Sequence, residues 1–241
     1  MYNNLLVNKP QQYYATITSK DKVSSKVYVS TLELTSPGEM SFIAGQNVML
    51  QLAPEVNRVM SIASPPSQNA SIVLAYDVSP GGPGSQWMSA VNIGDRVKFM
   101  GPMGVFKLDA ESPRKKVFVA TGSGVAPFRS MIRDYLEHGG TDDLTLYWGF
   151  RCEEDIFWME EFTELSHTYP NFRFLITLSQ KNDGWQGKEG RVTAHVPVEE
   201  TNLPGSDFYL CGSRGMVDDM TAILLSAGVR REQIKSELFF G

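Results

Sequence analysis

The sequence predicts two domains of different class, an antiparallel β-barrel followed by a doubly wound α/β domain with a parallel sheet. Three observations lead there. Before residue 111 the apolar runs are short, β-rich and separated by turn residues such as Pro37-Gly38, Pro65-Pro66 and Gly101-Pro102. After it, near-continuous apolar strands alternate with helical patterns. The composition is that of an ordinary globular chain, 42% hydrophobic, 20% charged and 11% aromatic. A length of 241 residues leaves room for one large or two modest domains. The pattern changes near Glu111-Ser112-Pro113, so residues 1–111 are read as the barrel and 112–241 as the α/β domain.

In chain order, the barrel strands are expected at 13–19, 26–34, 47–53, 58–63, 71–77 and 96–100, with one short helix at 85–91. Six short strands at this spacing suit a small antiparallel barrel. In the second half, strands are expected at 116–121, 144–149, 172–178, 208–211 and 234–239, and helices at 126–138, 155–168 and 216–227. No internal repeat is visible.

Charge and residue counts exclude several classes. A net charge of −5 argues against a nucleic-acid binder, which needs a basic face. No run approaches the ~18 apolar residues of a membrane span. The start of the chain lacks the basic and apolar regions of a signal peptide, which predicts a cytoplasmic protein. Two cysteines, Cys152 and Cys211, cannot supply a four-cysteine metal or iron–sulfur site, and in the cytoplasm they are expected reduced. The three histidines are far apart, and His138, before Gly139-Gly140, reads as a helix C-cap. No metal site is expected.

Several segments carry chemistry. Val119-Ala120-Thr121-Gly122-Ser123-Gly124-Val125-Ala126-Pro127 is an apolar strand running into a Gly-x-Gly turn and a helix. Pro127 falls in the first helical turn, where its missing N–H has no partner to lose. Glycines let the backbone approach a phosphate, and the helix N-terminus offers free amides and a positive dipole. A tight turn without a ligand uses the same residues. Cys211-Gly212-Ser213-Arg214-Gly215-Met216 also leaves a strand and enters a helix. With strand order 3-2-1-4-5, these two turns would face each other at the carboxyl ends of the strands, where ligands bind in such sheets. Cys211 has two readings, the border of a planar ring or plain packing.

In the barrel, Arg58 and Ser61 stand three apart on one strand, on opposite sides unless a bend or bulge intervenes. Arginine suits a phosphate by its bidentate geometry, and a surface arginine beside a turn has the same sequence. The loop from Gly81 to Ser85 is a second candidate anion nest. Gly101-Pro102-Met103-Gly104-Val105-Phe106 reads as a structural turn.

Taken in order, these segments resemble the ferredoxin–NADP reductase superfamily, in its oxygenase-reductase and NAD(P)H–flavin reductase branches. Arg58-x-Met60-Ser61 resembles the flavin signature, Gly82-x-x-Ser85 the pyrophosphate loop, and Gly101-Pro102-x-Gly104-x-Phe106 the turn that follows. Residues 121–127 resemble the pyridine-nucleotide loop, and Cys211-Gly212 with Met216 the nicotinamide-side loop. The resemblance implies FAD on the barrel and NADH or NADPH on the α/β domain. Hydride would pass from the nicotinamide to the flavin, and electrons would then leave singly. By resemblance, Arg58, Met60, Ser61, Gly82 and Ser85 contact FAD. Gly122, Gly124, Pro127, Ser179, Gly212 and Met216 contact the nucleotide. Ser61, Cys211 and Glu237 serve catalysis, and Phe240 covers the flavin or packs the last strand.

Two departures stand out. Met60 replaces the usual aromatic residue of the flavin signature, offering neither ring nor phenol. Gln180 stands where NADP-specific relatives carry an arginine, with Lys181, Lys188 and Arg191 nearby. That predicts use of both nucleotides with a modest NADH preference. The chain carries no ferredoxin domain, so the expected acceptor is a separate ferredoxin, flavodoxin or oxygenase component. Arg114, Lys115 and Lys116 read either as a greeting patch for an acidic carrier or as a solvated linker. Two other functions fit the same motifs, a reductase of free flavin and a redox-silent nucleotide-binding subunit.

Overall fold

The computed structural model describes residues 9–79 and 81–238. Phe239 and Phe240 lie outside the described residues. The chain divides into two compact units, residues 1–110 with 126–138, and residues 111–125 with 139–241. The helix at 126–138 therefore groups with the first unit, although the sequence pattern attaches it to the second half.

The first unit holds β1 (Gln11–Lys22), β2 (Val27–Ser36), β3 (Asn47–Ala53), β4 (Val56–Ser61), β5 (Ser71–Asp77), α1 (Pro83–Ala90), β6 (Arg96–Met103) and α2 (Ala126–Glu137). Its strands form one antiparallel sheet in the order β4-β3-β6-β1-β2-β5. The sheet curls, and an isolated bridge between Ile62 and Leu74 links its two edges. Alternation decides the curl's inside: Tyr13, Ala15 and Ile17 are buried along β1 while their neighbours face out. They join Leu32, Leu50, Ile72, Leu74 and Phe99 in one core. β1 and β6 run further than expected because 20–22 and 101–103 pair through backbone groups, which need no apolar side chain.

The second unit holds β7 (Lys115–Thr121), β8 (Leu144–Phe150), α3 (Met159–Thr168), β9 (Phe172–Leu178), β10 (Lys188–Glu189), α4 (Val192–Glu199), β11 (Ser206–Gly212), α5 (Arg214–Ser226) and β12 (Ile234–Leu238). All its strand pairs are parallel, in the order β10-β9-β8-β7-β11-β12. Leaving aside the two-residue β10, this is the order 3-2-1-4-5. α3 begins four residues later than expected. Trp158 adopts a left-handed φ of 54° and separates α3 from a single turn at Glu153–Asp155. α4 was hidden by Pro197, which removes a helical donor from an already short segment.

The basic run at 114–116 is neither a linker nor a free patch. Arg114 Nε pairs with Asp207 at 2.8 Å, and Lys115 Nζ with Glu200 at 2.6 Å. Lys116 is fully buried and pairs with Asp142 at 2.9 Å. Its ammonium also donates to the carbonyls of Ser112 and Arg114. Glu200 further accepts from Tyr147 at 2.8 Å and Arg173 at 3.1 Å. Burial works to raise its pKa, but the donors from Lys115 and Tyr147 prevail and hold it below the ordinary glutamate value. Among the described residues no helix is long and apolar enough to cross a membrane.

Replacing Lys116 leaves Asp142 and the two carbonyls without their shared donor. Lys116→Met is expected to cost on the order of 3 kcal/mol, read as a lower urea midpoint at unchanged slope. An unchanged midpoint would show that the cluster adds nothing to stability.

Candidate functional site

β4 is an edge strand of the curled sheet. Its register with β3 is regular from Asn57 to Ser61, so Arg58 and Ser61 leave opposite faces. Arg58 is exposed, and Ser61 is 3% exposed. Met60, half-buried, packs on the core from Arg58's side of the strand. Arg58 Nη1 donates to Asn57 O at 3.0 Å.

The turn at 82–85 opens α1. Gly82 is its N-cap, no side chain caps it, and Pro83 occupies the first turn. Gly84 brings this turn and Arg58 together. A Cβ there would run into the Nε and Cγ of Arg58, so the bare glycine lets the guanidinium lie across the first helical turn as it does here. Ser85 lines a shallow depression with Val78, Gly81, Gln86 and Ser89. An uncapped helix start, a hydroxyl and an exposed guanidinium thus share one place. That donor set fits a diphosphate group. The turn at 101–106 plays a structural part, since Gly101 and Pro102 belong to β6 and Phe106 is buried.

In the second unit, the strand order makes β7 and β11 neighbours, paired from Ser206↔Lys115 to Cys211↔Ala120. Their turns therefore meet at the carboxyl ends. A Cβ on Gly124 would collide with the carbonyl of Cys211. Gly212 has φ +146°, and a Cβ there would strike Thr121. Thr121 Oγ1 accepts from Ser213 N at 3.0 Å, and Ser213 caps α5 by accepting from Met216 N at 3.4 Å. Trp148 Nε1 donates to Gly122 O at 2.9 Å and steadies the turn from β8. Pro127 sits buried in the first turn of α2. Two glycine turns lie side by side here, one of them opening α5. The cradle fits a nucleotide.

Cys211 is fully buried and stands beside Glu237 on β12. Burial, followed by the charge of Glu237, pushes its thiol well above the ordinary range. It is a neutral thiol at pH 7, which suits a wall of the site and not a nucleophile. Ser179 lies just past β9, exposed, with its N–H on Phe150 O at 3.1 Å. Thr177 Oγ1, on β9 opposite Gly149 of β8, is a buried hydroxyl without a hydrogen-bond partner among the described residues.

Arg151 follows β8 directly and meets Gln180. Its Nε donates to Gln180 Oε1 at 3.0 Å, and its carbonyl accepts from Gln180 N at 2.7 Å. Lys181, Lys188 and Arg191 instead pair with Glu189, Glu199 and Asp219 at 2.8, 2.5 and 3.9 Å. The cation beside Gln180 therefore comes from the neighbouring strand end, a placement that only the sheet's pairing reveals.

Comparison with known proteins assigns a family to each half of the chain. Residues 14–108 match the oxidoreductase FAD-binding domain family, and residues 118–222 the oxidoreductase NAD-binding domain family. The chain is 36% identical over 208 residues to ferredoxin–NADP reductase B of Sorangium cellulosum, covering 82% of this chain and 85% of that one. It belongs to the ferredoxin–NADP reductase superfamily. Another member, the reductase component DmpP of phenol 2-monooxygenase from a Pseudomonas species, is 32% identical over 95% of this chain and 66% of its own length. The chain thus spans about two thirds of that relative. Among solved structures, the fold matches the Amycolatopsis cytochrome P450 reductase at 24% identity with TM-score 0.88, over 95% of this chain and 70% of that one. It also matches a ferredoxin–NADP reductase from Neisseria gonorrhoeae with bound FAD and NADP, at 21% identity and TM-score 0.80, over 95% and 99%. As a superfamily member, the chain is an NAD(P)H-dependent flavoprotein oxidoreductase with FAD- and NAD-binding domains.

Two predictions test the residue assignments. A hydrogen bond to a charged group is worth ~1.5–3 kcal/mol, so Arg58→Ala is expected to weaken FAD binding roughly 10–150-fold. Unchanged affinity by titration removes Arg58 from the site. For the nucleotide, both donors are expected to work, with a modest NADH preference, and Gln180→Arg to shift it toward NADPH. One charged contact limits the shift to roughly two orders of magnitude. A wild-type kcat/KM favouring NADPH more than about tenfold contradicts this.

Proposed function

We propose that the chain oxidises NADH or NADPH through bound FAD and hands single electrons to a separate protein, a ferredoxin, a flavodoxin or an oxygenase component. The observation that carries the flavin assignment is Arg58 lying across the uncapped first turn of α1 at Gly84. The names of the relatives point to the acceptor class, since they include reductase components of phenol and naphthalene oxygenase systems. When bound, FAD and NAD(P)H supply the two-electron exchange and the one-electron outlet.

The chain's own residues bind and orient. Residues 1–111 hold the flavin. Arg58 neutralises its diphosphate, aided by Ser85 and the backbone from Gly82. Met60 gives the flavin an apolar neighbour, and Ser61 offers a buried hydroxyl that positions a proton at the ring edge. Residues 112–241 hold the nucleotide. Gly122, Gly124 and Pro127 shape its diphosphate turn, while Gly212 and Met216 form the opposing wall. Cys211 and Glu237 border the reacting ring, the thiol staying protonated. Ser179 takes the ribose end.

The purified chain is expected to be yellow with about one FAD per chain, and to reduce a one-electron acceptor with NADH or NADPH. A colourless protein active only with added flavin would make it a free-flavin reductase, and nucleotide binding without turnover would end the proposal. Cys211→Ala is expected to keep its FAD but to slow flavin reduction in stopped flow. Loss of FAD with normal reduction of the remaining holoenzyme contradicts that role.

A further inference from the structure

α1 is eight residues long, and a helix of that length is marginal by itself. Its two ends are finished differently. At the C-terminal end the last carbonyls are met. Lys20 Nζ donates to Ser89 O and to Val91 O, both at 2.7 Å, and Asn92 Nδ2 donates to Ala90 O at 2.9 Å. Val91 N closes the last turn on Trp87 O at 3.0 Å. At the N-terminal end Gly82 supplies no side-chain cap, which leaves the positive end of the helix to an anion.

Lys20 reaches α1 through an irregularity in β1. Tyr13, Ala15 and Ile17 are buried along that strand, so plain alternation would turn Lys20 outward. The register with β2 shifts between Ile17 and Ser19, and Lys20 then stands opposite Ser30, which is buried. A bulge of this kind re-aims a side chain. The ammonium lies 5.0 Å over the ring of Tyr28, which stacks on Tyr76 with centroids 6.1 Å apart. Tyr76 Oη and Ser30 Oγ share a hydrogen bond of 2.9 Å. The cation therefore rests on a fixed seat. Met88 and Trp87 also pack α1 on the core of the curled sheet, but apolar contact is non-directional. The two carbonyl bonds decide where along its axis the helix stands. Gly84, where the side chain of Arg58 rests, is five residues from Ser89 on the same helix, roughly 8 Å along the axis.

We propose that Lys20 is a positioning residue of the flavin site: by holding the last turn of α1 it fixes where the first turn meets Arg58, and so sets the seat of the diphosphate. This rests on the reading of Arg58 and the first turn of α1 as the diphosphate site. Lys20 acts through the helix, from its opposite end.

The test is FAD titration of the full chain freed of flavin, for wild type, Lys20→Met, Lys20→Arg, Arg58→Ala and the double variant Lys20→Met with Arg58→Ala. Lys20→Met keeps an apolar stem over Tyr28 but has no donor, and is expected to weaken FAD binding roughly 5–20-fold. Lys20→Arg keeps the charge and the donors, and is expected to bind within about threefold of wild type. Because Lys20 works through the place where Arg58 rests, the two losses overlap. In the Arg58→Ala background, Lys20→Met is expected to cost less than about threefold more. Hydrogen–deuterium exchange of the flavin-free samples reads the helix itself. Amides at 84–90 are expected to exchange faster in Lys20→Met and near the wild-type rate in Lys20→Arg. Wild-type FAD affinity in Lys20→Met overturns the proposal, as does unchanged exchange of α1. A loss that Lys20→Arg fails to restore, or one that adds in full to that of Arg58→Ala, makes the role of Lys20 merely structural and overturns it too. Unchanged affinity in Arg58→Ala overturns the diphosphate reading and this proposal together, whereas a weakened Arg58→Ala beside an unaffected Lys20→Met overturns the positioning role alone.

Discussion

Gly124 lies against the carbonyl of Cys211 with no room for a side chain, and Gly212 lies against Thr121 in the same way. These two approaches set the geometry of the whole carboxyl end of the parallel sheet. They follow from the strand order, which makes β7 and β11 neighbours although most of the second unit separates them in sequence. Once the strands pair, their turns must share one small space, and only glycine backbone fits it. The start of α5, the support from Trp148 and the shielding of Cys211 all depend on that fit.

The first unit solves a similar problem with different parts. An exposed arginine on an edge strand lies over a glycine in the opening turn of a short helix. In both units a missing Cβ admits a polar group to a crowded place. The difference is electrostatic. Arg58 brings a full charge where solvent still reaches, while the β7–β11 turns offer oriented backbone dipoles beside a thiol kept neutral by burial.

Much of this could be read from the residues. Alternation along β1 and the apolar runs of β7, β8 and β11 gave the two fold classes, because burial on one face or on both leaves different patterns. The Gly-x-Gly turn was legible because it stands between an apolar strand and a helix that opens with a proline. What stayed hidden depends on pairing at a distance. Gly84 matters because of Arg58, and Arg151 matters because Gln180 sits on the neighbouring strand end. The basic run at 114–116 looked solvated because its partners, Asp142, Glu200 and Asp207, lie 26 to 93 residues away. Helix α4 was concealed by a proline that most helices do not tolerate.

The charged cluster around Lys116, Asp207 and Glu200 has one further consequence. Lys115 and Lys116 start β7, Asp207 starts β11, and Arg173 starts β9. These ion pairs therefore sit at the amino ends of the strands, while the glycine turns, Ser179 and Arg151 sit at the carboxyl ends. The sheet has a welded end and a working end. Exchange of the exposed side chains of Ser179, Gln180 and Arg151 leaves both these ion pairs and the glycine contacts untouched, so that rim can change while the sheet beneath it keeps its register.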